Sequence, residues 1–133
     1  MSANPYASKL SEYAQVSAHA RVAAADPHKL ILMLMDGALE RIAAARGCMA
    51  RNDVGGKAQL LNRVIQIIGE LRGSLDLSKG AQIAANLDGL YDYMTRRVLQ
   101  ASLKNSVEML DEVAKLLRNV RDAWAQVPVE ASK

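Results

Sequence analysis

Apolar residues recur at helical intervals along most of this chain. Ile31, Met35, Ala38, Ile42, Ala45 and Met49 alternate in steps of four and three, the spacing of a helix-bundle seam. Leu60, Val64, Ile67 and Leu71 make a second seam running to Leu75. Ile83, Leu87, Leu90, Met94, Val98 and Ala101 make a third, and Leu110, Val113, Leu117, Val120 and Trp124 a fourth. Turn chemistry separates them. "ADPHKL" puts Asp26 at an N-cap and Pro27 at the first helical position. "NDVGGK" breaks the first seam from the second, and "LSKG" ends the second. In "KNSVE", Asn105 and Glu108 have capping-box spacing, with Asn in place of the usual Ser or Thr. Four helices of roughly 20–25 residues, each about 30–38 Å long, joined by short connections predict an all-α fold. The simplest closure is an antiparallel up-down four-helix bundle over residues 26–125. Tyr6, Leu10 and Tyr13 share a weaker stripe, too short and polar to stand as a helix in water. Residues 1–25 are therefore expected to form a short N-terminal cap helix or segment on the bundle, and 126–133 a flexible C-terminal tail.

The apolar residues exceed what one stripe per helix requires. In "LILMLM", Ile31, Leu34 and Met35 serve the seam, whereas Leu30, Leu32 and Met33 do not. On the second helix Leu61, Ile65 and Ile68 form another stripe, rotated about 100° from the first. Two readings stand side by side: a wide core filled by wide stripes, or an exposed apolar groove that another chain covers. Met33 and Met35 suit either a core or an adaptable surface. Tyr91 and Tyr93 pose the same question more sharply. Two residues apart on a helix means about 200° around its axis, so one ring can flank the seam while the other turns outward beside Asn86, Arg97 and Gln100.

Composition narrows the classes. A chain of 133 residues fits one domain with one core. No apolar run approaches the roughly 20 residues that span a bilayer. "MSANPYASKLSEYAQ" lacks a basic start followed by an apolar block, so no secretory signal is expected and a cytosolic location is expected. Cys48 has no CxxC or His partner and reads as a small buried thiol. The net charge of +3 is spread among acidic residues, with no basic stripe interleaved with aromatics. No catalytic constellation is found. The two histidines, His19 and His28, lack a Glu three residues before them, so a di-iron bundle is not expected. His28, in a first helical turn, reads as solvated. No phosphate-binding glycine loop occurs. Asp88, Asp92, Glu108, Asp111 and Glu112 read as solubility charges on outer faces. No cofactor, metal or enzymatic activity is expected.

Three stretches carry a resemblance. "ADPHKLILMLMDGALERI", "LYDYMTRRVLQA" and "EVAKLLRNVRDAW" occur in order and at the right separations, and the chain resembles the bacterial flagellar export chaperone family FliS over residues 13–125. The resemblance implies an antiparallel four-helix bundle with a short N-terminal cap. It implies binding of the C-terminal segment of flagellin in the cytoplasm, protection of it from premature polymerisation, and delivery to a flagellar export-gate protein of the type III apparatus. Two departures stand out. Many relatives carry Tyr at the position of Met35, which bears on ring packing in the core or groove. Many carry Asn at the position of Ser102, which bears on how the last turn of the bundle is capped.

Taken with that resemblance, the candidate partner-binding residues are Tyr13, Leu30, Met33, Leu61, Ile65, Ile68, Tyr91 and Tyr93. Tyr91 is expected to pack at the bundle edge with its hydroxyl at the rim, and Tyr93 to face out toward a second chain. Tyr13 is expected near the client's end, with the residues before it plugging the groove in the free protein. A homodimer through the same groove is an alternative for the free state. The competing functions are a helical adaptor for another flagellar export or regulatory protein and a weak nucleic-acid-binding bundle. Phosphate binding would collapse between about 50 and 200 mM salt, whereas apolar burial would not.

Overall fold

The computed structural model describes residues 26–76 and 80–127. They form four helices: α1 (Pro27–Ala50), α2 (Val54–Gly73), α3 (Ala81–Lys104) and α4 (Val107–Ala125). Local chemistry sets the boundaries. The Asp26 carboxylate accepts the Lys29 N–H at 3.2 Å, and Pro27 opens α1 with no N–H to satisfy. At the next turn Asn52 adopts a left-handed φ of 57°, and Asp53 caps α2 by accepting the Gly56 N–H at 3.0 Å. Gly80, at φ 69°, precedes α3.

The turn between α3 and α4 corrects the expected capping box. Asn105 takes the left-handed C-cap of α3, at φ 52°, a conformation that its short polar side chain tolerates. The neighbouring Ser106 is the N-cap of α4, its hydroxyl accepting the Met109 N–H at 3.2 Å.

The helices form a square. Each packs on the two beside it, α1 on α2 and α4, and α3 on α2 and α4, while the diagonal backbones stay apart. Cross-helix contacts fix the directions. Lys57, early in α2, reaches Ser102 late in α3, and Arg72, late in α2, reaches Asp88 early in α3. Asp36 meets Arg121, and Arg46 meets Asp111, so α1 and α4 also run antiparallel. The topology is the expected up-down bundle.

All four seams feed the core. Met35, Ala38, Ile42 and Ala45 meet Val64, Ile67, Leu71, Met94, Val98, Leu110, Val113 and Leu117, all buried. Met35, the first departure from the family pattern, is thus a core residue. Ile83 departs from its seam and is 68% exposed. Arg72 stands level with Asp88, so the turn carrying Ile83 projects past the end of α2. Among the described residues, no helix is long and apolar enough to cross a membrane.

Candidate functional site

A helix in a square touches two neighbours and needs two apolar stripes about a quarter turn apart. The second stripe of α2 is of this kind. Lys57 and Arg72 lie on the same side of α2 as Leu61, Ile65 and Ile68, and both reach α3. The apolar residues between them therefore face α3. Leu61 is 2% exposed and Ile68 fully buried, which corrects the reading of them as open groove residues. Ile65 is half-buried, packed against the core at the outer edge of the same seam.

The tyrosines sort in the same way. Tyr91 is a core residue, and burial pushes its phenol up to about 12. Tyr93, expected to face out toward a second chain, is half-buried and engaged within this one. Its hydroxyl donates to Glu112 Oε2 at 2.7 Å, and Arg97 Nε–H donates to the other oxygen at 2.8 Å. The guanidinium lies 5.8 Å from the Tyr93 ring centroid. Tyr93 and Arg97 hold the Glu112 carboxyl below its ordinary range, and the hydrogen bond to Glu112 raises the Tyr93 phenol. The three side chains clip α3 to α4. Asp88 and Asp92 are likewise paired, both with Arg72, and Asp92 also with Arg96.

His28 is buried, contrary to the expectation of a solvated ring. It stacks on Trp124 at a centroid distance of 5.0 Å. Its Nε2 lies 2.7 Å from the Trp124 carbonyl oxygen, which can only accept, so Nε2 carries the proton. In return Trp124 Nε1–H donates to the His28 carbonyl oxygen at 3.0 Å. This reciprocal pair joins the start of α1 to the end of α4. Leu30 and Met33 lie half-buried near the same end, and Tyr13 lies outside the described residues. The predicted site residues thus fall into separate places: Leu61, Ile65 and Ile68 in the α2–α3 seam, Tyr91 in the core, Tyr93 at α3–α4, and Leu30 and Met33 on α1.

The open apolar surface lies elsewhere. Val54 is 67% exposed, Leu99 48% and Leu103 88%. Val54 precedes Arg72 by about five full helical turns, so both share the α3-facing side of α2, with Ala58 and Ile65 between them. Leu99 and Leu103 follow Asp92 by about two and three turns and share its α2-facing side of α3. The two lines border one outer groove between α2 and α3. It is apolar toward Val54 and Leu103 and closed by the Arg72–Asp88–Asp92–Arg96 ion pairs toward the opposite pole. Sequence reasoning missed Leu99 and Leu103, although their four-residue spacing just off the phase of the third seam was a visible signal.

The chain has relatives along nearly all its length. The family model described as Flagellar protein FliS matches residues 9–131. The chain is 47% identical over 120 residues to the flagellar secretion chaperone FliSB of Pseudomonas aeruginosa, covering 90% of this chain and 95% of that protein. It is 46% identical over 127 residues to the flagellar secretion chaperone FliS of Salmonella typhimurium, covering 95% and 94%. With the corresponding chaperone of Bacillus subtilis it shares 37% identity over 123 residues, covering 92% and 85%.

Proposed function

We propose, since this chain belongs to the FliS family, that it is a cytoplasmic chaperone of flagellar export that holds the C-terminal segment of flagellin. Held in this way, the segment does not polymerise early and is handed to the export gate. The relatives are named as chaperones, not enzymes. The observation that carries the reading is the line of large apolar side chains left in water along the outer α2–α3 groove, on a bundle whose core is otherwise closed. An amphipathic segment laid in that groove would cover Val54, Ile65, Leu99 and Leu103, with Leu61 and Ile68 as the floor beneath. Leu30 and Met33 offer a second contact on α1. The exposed edge of the Tyr93 ring offers a third, and Tyr13 completes the candidate set.

Energetics favour a long contact. Micromolar affinity needs about 8 kcal/mol net, and ordering a disordered client consumes roughly 2–5 kcal/mol or more. At about 1.5–3 kcal/mol for each large apolar side chain buried, less the cost of association, a single compact pocket falls short. The test is co-purification with flagellin fragments that contain or lack the last roughly 40–50 residues, a span that can run the length of a bundle helix more than once. Retention should require the terminal segment and persist at high salt. Equal retention of both fragments, or loss between 50 and 200 mM salt of the kind that phosphate contacts show, would overturn the reading.

A further inference from the structure

Lys57 is a buried cation that the fold only half explains. It is 8% exposed, and its Nζ donates to Ser102 O at 3.0 Å and to Asn105 Oδ1 at 3.3 Å. Both acceptors are neutral. They mark the end of α3, whose dipole supplies about half a negative charge at most. An ammonium has three protons to place. Among the described residues every ion pair is made by an arginine, and none by Lys57. Buried charges ordinarily carry a counter-ion, since an unpaired charge is costly out of water. Asp53, one helical turn before Lys57, is the nearest carboxylate in sequence, yet it is turned to its own helix end. Its Oδ1 accepts the Gly56 N–H at 3.0 Å, and its Oδ2 lies 3.7 Å from the Cys48 thiol.

Lys57 lines a recess of about 200 Å³ at this pole, whose walls include Cys48, Met49, Asp53, Val54 and Asn105. Val54 also begins the α2 line of the outer groove, so the recess continues that groove past its last exposed leucine. It is large enough for one side chain. Met49 and Val54 give it an apolar lining, and Lys57, Asn52, Asp53 and Asn105 a polar one.

We propose that the recess takes the last residue of the client, its side chain against Met49 and Val54 and its chain-terminal carboxylate on Lys57 Nζ. The inference rests on the reading of this protein as a holder of a flagellin C-terminal segment, and it fixes where that segment stops. Calorimetric titration of the full chain with three flagellin C-terminal peptides tests it: one with a free terminus, one amidated, and one extended by Gly-Ser. Amidation removes the charge, and extension keeps a carboxylate but moves it. Each should weaken binding about tenfold, the size of one well-made charged hydrogen bond. In Lys57→Met the three peptides should bind alike. Equal affinities for the unmodified protein overturn the recess and leave the chaperone reading standing. A loss on extension without a loss on amidation overturns the role of the ammonium. Failure of all three peptides to bind overturns both readings. Lys57→Met also unties α2 from α3, so its melting is recorded alongside; if it does not fold, the three titrations of the unmodified protein decide.

Discussion

Tyr91 and Tyr93 stand two residues apart and meet opposite surroundings. In a spectrophotometric titration of the folded protein, the Tyr91 phenol should ionise near 12, because burial opposes the phenolate. Tyr91→Phe should remove that late step. Tyr93 contributes instead through Glu112. The Glu112 carboxyl is held low first by the Tyr93 hydroxyl and then by Arg97. A group whose folded pKa is depressed contributes stability above its unfolded pKa and loses it as pH falls through the folded value. The clip is therefore complete at neutral pH and opens in acid. Glu112→Gln should flatten the acid limb of melting temperature against pH, and an unchanged limb would remove the clip from the stability of the fold. The sequence shows both rings and both charges but not their pairing. Tyr93 and Glu112 lie on different helices, and their meeting depends on how α3 and α4 slide past each other. His28 and Trp124, 96 residues apart, were hidden for the same reason.

At the scale of elements, the four seams were legible because a core position repeats with the turn of its own helix. The second stripe of α2 was legible as a stripe, but the sequence left open whether it fills the core or lines a groove. Periodicity gives the angle of a residue on its helix but not which neighbour stands at that angle. The spacing of Leu99 and Leu103 is visible in the sequence, but that they border α2 is seen only once Arg72 shows which side of α3 faces α2. The distinction has a measurable form. Leu61→Ala should cost about 2–5 kcal/mol in chemical denaturation, as for a leucine deleted from a closed core. Leu103→Asp should stay within about 0.5 kcal/mol of the unmodified protein while weakening client binding in the calorimeter. A severe loss of stability in Leu103→Asp would return that residue to the core. Glycine makes a further prediction. A methyl at Gly69, inside α2, or at Gly89, inside α3, would meet no atom within 4 Å. Gly69→Ala and Gly89→Ala should each stabilise the free protein by about 0.4–1 kcal/mol, read as a higher denaturation midpoint.

Among the described residues the four helices form a square, and an aromatic contact joins the first to the last. Trp124 is the sole tryptophan of the chain, so its fluorescence reports the joint between the first and last helices and nothing else. Urea unfolding followed by that fluorescence and by helical circular dichroism should give coincident transitions if the square opens as one unit. An earlier fluorescence transition would mean that the joint parts before the helices melt. The same joint has a consequence for chain connectivity. It brings the start of α1 and the end of α4 together at one pole, while the Asn52 and Asn105 turns lie at the other. The order in which the four helices are strung is then separable from the square they form. A circular permutant of the bundle, with a short glycine-serine linker bridging the His28–Trp124 pole and new termini opened at Asn52, should fold to the same helix content and keep its tryptophan stacked.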